Sequence, residues 1–133
     1  TGKIDRLEVD KPNKKLRIID FKSGKPSTKW GSSPKHINYK DQLYFYILLL
    51  ETSNTYRGYH VEAAQLEFIE PLANGETAPP LVLLFNEKEY GEFKRLVASV
   101  WRHIQALDLP DVTGYQPSPA GMKKFIIDLL ADK

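Results

Sequence analysis

Apolar and charged positions alternate over residues 3–10, through Ile4-Asp5-Arg6-Leu7-Glu8-Val9-Asp10, and a period of two predicts a β-strand. Residues 15–22 predict its antiparallel partner. Between them, Lys11-Pro12-Asn13-Lys14 carries the Pro and Asn that turns favour. A hairpin symmetric about Pro12 and Asn13 sets Asp5 opposite Asp20. Side chains alternate faces along a strand, so Leu7, Val9, Leu16, Ile18 and Lys22 share that face. Two carboxylates and an ammonium thus gather at one end of an otherwise apolar face. Charge there is costly unless it is paired or holds a metal ion.

From Ser23 to Pro34 the chain is rich in Gly, Ser, Pro and Lys and predicts a loop carrying Trp30. A helix is predicted roughly from Ile37 to Thr52, with Leu43, Ile47 and Leu50 on its core side. Residues 61–70 predict a third strand, and Leu81 to Phe85 a short apolar fourth. Asn86 is a good N-cap, with Glu87 and Glu89 in the first turn, for a helix from Glu87 to Leu107. Its apolar set is Tyr90, Phe93, Val97, Val100, Trp101 and Ile104, and Pro110 lies just beyond its end. Ser118 is placed to cap a last helix, Ala120 to Leu130, with Met122, Phe125, Ile126, Leu129 and Leu130 apolar. The order β-β-α-β-β-α-α predicts an α/β or α+β fold, a mixed central sheet of about four strands flanked by helices.

A chain of 133 residues is long enough for one domain with a real core, expected over residues 1–133. Its hydrophobic fraction of 41% and charged fraction of 27% are ordinary for a globular protein. Net charge of +2 makes no global case for a polyanionic partner, so any such contact must come from local basic patches. There is no Cys, which excludes disulfides, thiolate zinc sites and Fe–S clusters and fits a reducing, cytoplasmic setting. The longest apolar run, Phe45 to Leu50, is too short to span a membrane, so no membrane partner is expected. No signal peptide is visible at the start. The chain opens on Thr1 and enters a strand pattern almost at once, which reads as a piece of a longer protein.

Asp5 and Asp20 offer the oxygen donors that Mg²⁺ and Mn²⁺ favour. Such an ion would activate a water and stabilise charge on a phosphate. The plainer reading is two solvated strand acids paired with Lys3 or Arg6. The apolar company of Leu7, Val9, Leu16 and Ile18 favours the first, provided the register holds, since a slip of one residue breaks the pairing. Lys22, on the same face as Asp20, is placed to orient the nucleophile or stabilise the transition state; its plainer reading is an exposed strand-end lysine. Gln42 and Tyr46, four apart, share a helix stripe. They would contact a phosphate or orient the carboxylates, although spacing alone favours an amphipathic helix with a half-exposed Tyr. Lys25, Lys29, Trp30, Lys35 and His36 mix basic and aromatic groups in one loop. That mixture suits tracking a phosphate backbone and stacking a base, or equally a solvated loop with Trp30 folded onto the core. His36, His60 and His103 show no ligand spacing. There is no phosphate-cradling Gly-rich loop and no HExxH.

Taken together, Gly2-x-x-Asp5-Arg6, Ile19-Asp20-Phe21-Lys22-Ser23-Gly24 and Gln42-Leu43-x-x-Tyr46 resemble the PD-(D/E)XK nuclease superfamily, and most its RecB-like exonuclease branch. The matching pieces lie within residues 2–46. The resemblance implies a restriction-endonuclease-like core and a Mg²⁺- or Mn²⁺-dependent deoxyribonuclease. Asp5, Asp20 and the main-chain carbonyl of Phe21 would be metal ligands, Asp5, Asp20 and Lys22 would be catalytic, and Gln42 and Tyr46 would lie near DNA phosphate or those groups. Arg6 reads as structural, and Ser23 and Gly24 as shaping the strand exit. DNA is the implied partner, with a helicase or recombination protein beside it, in recombination, repair or phage and mobile-element DNA processing. The family core usually begins with a helix ahead of the first motif strand, which often supplies a Glu or His to the metal site; this chain starts after it. Two readings of other classes remain: a non-catalytic DNA-binding or assembly module that kept the fold, and a protein-interaction domain whose charges are all solvated.

Overall fold

The computed structural model describes residues 2–131. The chain divides into two compact units, one ending at Leu84 and one starting at Phe85. The first holds a four-stranded sheet and one helix. Strand β1 (Arg6–Asp10) pairs antiparallel with β2 (Lys15–Lys22), β2 pairs parallel with β3 (His60–Phe68), and β3 pairs antiparallel with β4 (Leu81–Val82). The sheet order is β1-β2-β3-β4, so the sheet is mixed and the fold is α+β. A parallel pair needs a crossover, and helix α1 (Pro34–Glu51) provides it between β2 and β3.

The hairpin has the register that symmetry about Pro12 and Asn13 requires: Leu7 faces Ile18 and Val9 faces Leu16. Asp10 holds the turn by accepting from the Asn13 amide at 3.1 Å and from Asn13 Nδ2 at 2.7 Å. Those two bonds favour the carboxylate and keep the Asp10 pKa below its ordinary value. Strand β1 starts at Arg6, later than the alternation predicts, because the chain bends at Asp5. The Asp5 side chain accepts there from the Phe21 amide at 3.0 Å, a donor that a longer β1 would have paired through its backbone.

Helix α1 packs on β2 and β3. It begins three residues before the predicted start, since Ser33 caps it and Pro34 suits a first-turn position. Leu43, Ile47 and Leu50 are buried as their spacing predicts, with Leu16, Ile18, Ala64, Leu66 and Phe68 of the sheet. A Cβ on Gly2 would meet Leu49 Cδ1 at 2.7 Å, so a glycine lets the segment before β1 lie close against α1. Gly24 leaves β2 with φ of +113°, a conformation side chains disfavour.

The second unit holds α2 (Glu87–Ala106) and α3 (Pro119–Ala131), which pack on each other. Asn86 caps α2 by accepting from the Glu89 amide at 3.0 Å, and Ser118 Oγ accepts from the Gly121 amide at 3.1 Å at the start of α3. Tyr90 and Leu129 are buried, but Val100, Trp101 and Ile104 of the predicted apolar set of α2 are exposed, as is Met122 of α3. Periodicity gives a helix its apolar stripe without saying what covers it. The fourth strand also stops short: Leu84 and Phe85 lie outside it and are exposed. Among the described residues no helix is long and apolar enough to cross a membrane.

Candidate active site

Asp20 sits near the C-terminal end of β2, opposite Leu66 of β3 and two residues from Ile18, and is only 2% exposed. A carboxylate so deep must be compensated. Compensation comes from β2 itself and from α1. Asp20 Oδ1 accepts from Gln42 Nε2 at 3.1 Å and from the Tyr46 hydroxyl at 3.3 Å. The ammonium of Lys22 lies 2.7 Å from Asp20 Oδ2, in ion-pair contact but outside hydrogen-bond geometry. Lys22 also donates to Gln42 Oε1 at 2.6 Å. Lysine can only donate, so this bond fixes the Gln42 amide with its oxygen toward Lys22 and its nitrogen toward Asp20. The same nitrogen donates to the Tyr46 hydroxyl at 2.8 Å.

Tyr46 is buried, not half-exposed as helix spacing alone favours. Burial pushes its hydroxyl pKa above the ordinary value; the Gln42 hydrogen bond opposes this, while the charges of Asp20 and Asp5 reinforce it. Tyr46 therefore stays protonated and keeps donating to Asp20. Folding favours the protonated phenol, so its contribution is full below the ordinary tyrosine value of 10.0 and is lost as pH rises toward the higher folded value. In denaturation midpoints measured from pH 8 to 11, the stability of the wild type relative to Tyr46→Phe is expected to fall above about pH 10. A difference that stays flat would contradict this.

Asp5 is exposed, and its charge adds to the upward push on the Tyr46 pKa. The neighbouring Arg6 pairs with Glu8 at 2.7 Å on the surface. In an antiparallel pair the N–H and C=O of one residue point to the same neighbour, so the Phe21 carbonyl lies on the strand edge that its amide presents to Asp5.

These groups fit a hard divalent cation. Among the described residues Asp20 Oδ2 is buried and accepts no hydrogen bond, and the Lys22 ammonium lies beside it. Among the described residues no three His, Cys, Asp or Glu cluster as a ready metal cage. Mg²⁺ is commonly held by one or two carboxylates, with waters and substrate phosphate completing the shell, so it does not require a ready cage.

The basic and aromatic loop is ordered by its own side chains. Trp30 Nε1 donates to the Val82 carbonyl on β4 at 2.7 Å, so its indole ties the loop to the sheet edge. His36 Nδ1 accepts from the Gly31 amide at 2.7 Å, which leaves Nε2 to donate to Ser27 Oγ at 3.0 Å. Lys25 and Lys29 are exposed on this loop. His60 is exposed, and His103 bonds through Nδ1 to the Asp108 carbonyl at 2.8 Å. Sequence reasoning passed over Tyr39, whose ring lies 4.7 Å from Lys22 Nζ. Its place three residues before Gln42, on the same helix stripe, was the available signal.

Gln42 touches Lys22, Asp20 and Tyr46 at once. Gln42→Ala is expected to weaken activity or metal affinity by about 10–100-fold, the usual cost of losing a group that orients a metal ligand. Titration with Mn²⁺ and a cleavage assay would check it.

The sequence matches the family profile of the PD-(D/E)XK nuclease superfamily over residues 1–116. The chain belongs to the PD-(D/E)XK nuclease superfamily. Its class is therefore that of nucleases, which act on nucleic acid phosphodiesters and generally use divalent metal ions. No curated protein and no solved structure matches the chain significantly.

Proposed function

We propose that this chain is a Mg²⁺- or Mn²⁺-dependent deoxyribonuclease of the RecB-like exonuclease type, acting beside a helicase or recombination protein in DNA repair, recombination or mobile-element processing. The observation that carries the reading is the convergence of both helix residues, Gln42 and Tyr46, on the carboxylate of Asp20, with Lys22 on its other oxygen.

Asp20, Asp5 and the Phe21 carbonyl would hold the ion. When bound, the ion supplies positive charge to the scissile phosphate and lowers the pKa of water. Gln42 and Tyr46 hold Oδ1 of Asp20 and so leave Oδ2, beside Lys22, for the ion. Lys22, beside Asp20, stabilises the negative charge that develops as water attacks phosphorus. Lys25 and Lys29 meet the DNA backbone, and Trp30 keeps their loop against β4.

The test is release of nucleotides from end-labelled linear DNA, single- and double-stranded, with Mg²⁺ or Mn²⁺ and with chelator. Release that needs the metal and a free end is expected. Equal cutting of closed circles would refute the exonuclease assignment. DNA binding without cleavage, unchanged by chelator and by Asp5→Ala, would make the chain a binding module instead.

A further inference from the structure

We propose that Tyr39 is a positioning residue for Lys22, holding its ammonium in place when Asp20 turns to a metal ion. This rests on the reading of Lys22 given above. Tyr39, Gln42 and Tyr46 stand at the i, i+3 and i+7 positions of α1 and form one stripe over the Asp20–Lys22 pair. Gln42 and Tyr46 belong to the helix motif. Tyr39 does not, yet its ring is a third wall around the lysine. Lys22 Nζ lies 2.7 Å from Asp20 Oδ2, 2.6 Å from Gln42 Oε1 and 4.7 Å from the Tyr39 ring centroid.

Only one of these three partners is an anion, and it is the one a divalent ion would claim. Once Asp20 Oδ2 faces that ion, Lys22 loses its strongest attraction and gains a repulsion. A four-carbon stem lets an unheld ammonium swing into water. The Gln42 carbonyl and the Tyr39 face are neutral, so their attraction survives the exchange. A cation over an aromatic face is held more strongly as it is desolvated, and the Lys22 side chain is 17% exposed. Lys35 also lies over this ring, at 5.6 Å, but it is farther away and exposed, so the ring acts mainly on Lys22.

Single-turnover cleavage and DNA affinity should be measured for Tyr39→Leu, Tyr39→Phe, Lys22→Ala and the Tyr39→Leu/Lys22→Ala double variant. Tyr39→Leu is expected to lower the maximal rate about tenfold, the size of a partly desolvated cation–π contact, and to change the KM for DNA less than twofold. Tyr39→Phe, which keeps the ring, should recover most of that loss. In the Lys22→Ala background, Tyr39→Leu should cost nothing further. A wild-type signal independent of activity and of variant folding is the Lys22 ε-CH₂ resonance, expected upfield of the lysines that lie over no aromatic ring with Mn²⁺ replaced by Mg²⁺, because the ring current shields it as it does Lys14 and Lys94 over their own tyrosines. Additive losses, a rise in KM in place of a fall in rate, equal losses for Leu and Phe, or an unshifted Lys22 resonance each overturn the proposal. Full activity of Lys22→Ala would overturn the underlying reading, whereas an inactive Lys22→Ala with a fully active Tyr39→Leu overturns the role of Tyr39 alone.

Discussion

An Asp20→Ala chain is expected to bind no Mn²⁺ and to cleave no DNA while remaining folded. Asp20 is the buried acid on which the other groups converge, and its Oδ2 is the carboxylate oxygen with no hydrogen-bond donor. Losing a group that merely orients a ligand costs about 10–100-fold, so losing the ligand itself should exceed that and leave no measurable cleavage. The fold should survive. Breaking a buried ion pair costs about 3–5 kcal/mol when the remaining charge is trapped. Lys22 is not trapped, because its long stem can carry the ammonium to water. Isothermal calorimetry with Mn²⁺, on wild type and variant, measures the binding. Thermal melting with and without Mn²⁺ gives a second readout, since a ligand at about a hundred times its Kd adds about 2.7 kcal/mol to a protein that binds it. Retained Mn²⁺ binding or cleavage in Asp20→Ala would refute the assignment of the site.

Lys22→Met should behave differently. Cleavage is expected to drop about 10²–10³-fold, the usual cost of removing one group that stabilises transition-state charge. Metal binding should persist and tighten, because the ammonium 2.7 Å from Asp20 Oδ2 competes with the ion for that oxygen. The same two measurements therefore separate a ligand from a group that acts on the substrate. If Lys22→Met cleaves at the wild-type rate, or loses Mn²⁺ binding together with cleavage, that division of roles is wrong.

The hairpin was legible in the sequence because two local signals agree there. The alternation of Leu7 and Val9 with charged residues gave the strand, and Pro12-Asn13 placed the turn, so the register followed. The start of β1 was not legible. A carboxylate replacing a backbone acceptor, as Asp5 does for the Phe21 amide, leaves no trace in hydrophobic patterning. The helix residues show the same divide. Spacing placed Gln42 and Tyr46 on one stripe, but the burial of Tyr46 depends on α1 lying over the end of β2. Trp30 was balanced between stacking a base and folding onto the core; its bond to the Val82 carbonyl, 52 positions away, is a contact that local sequence does not encode.

What the sequence determined by itself is the order of elements, the hairpin register and the placing of Asp20 and Lys22 on one face of β2, because each follows from periodicity and turn chemistry within a few residues. What only the tertiary structure decided is which atoms meet: the Gln42 amide bridging Lys22 and Asp20, the Tyr39 ring beside Lys22, and the exposure of Trp101 on α2. Those depend on how a helix settles on a sheet and on what covers an apolar stripe. Both are set by packing between residues far apart in the chain, which local patterns do not encode.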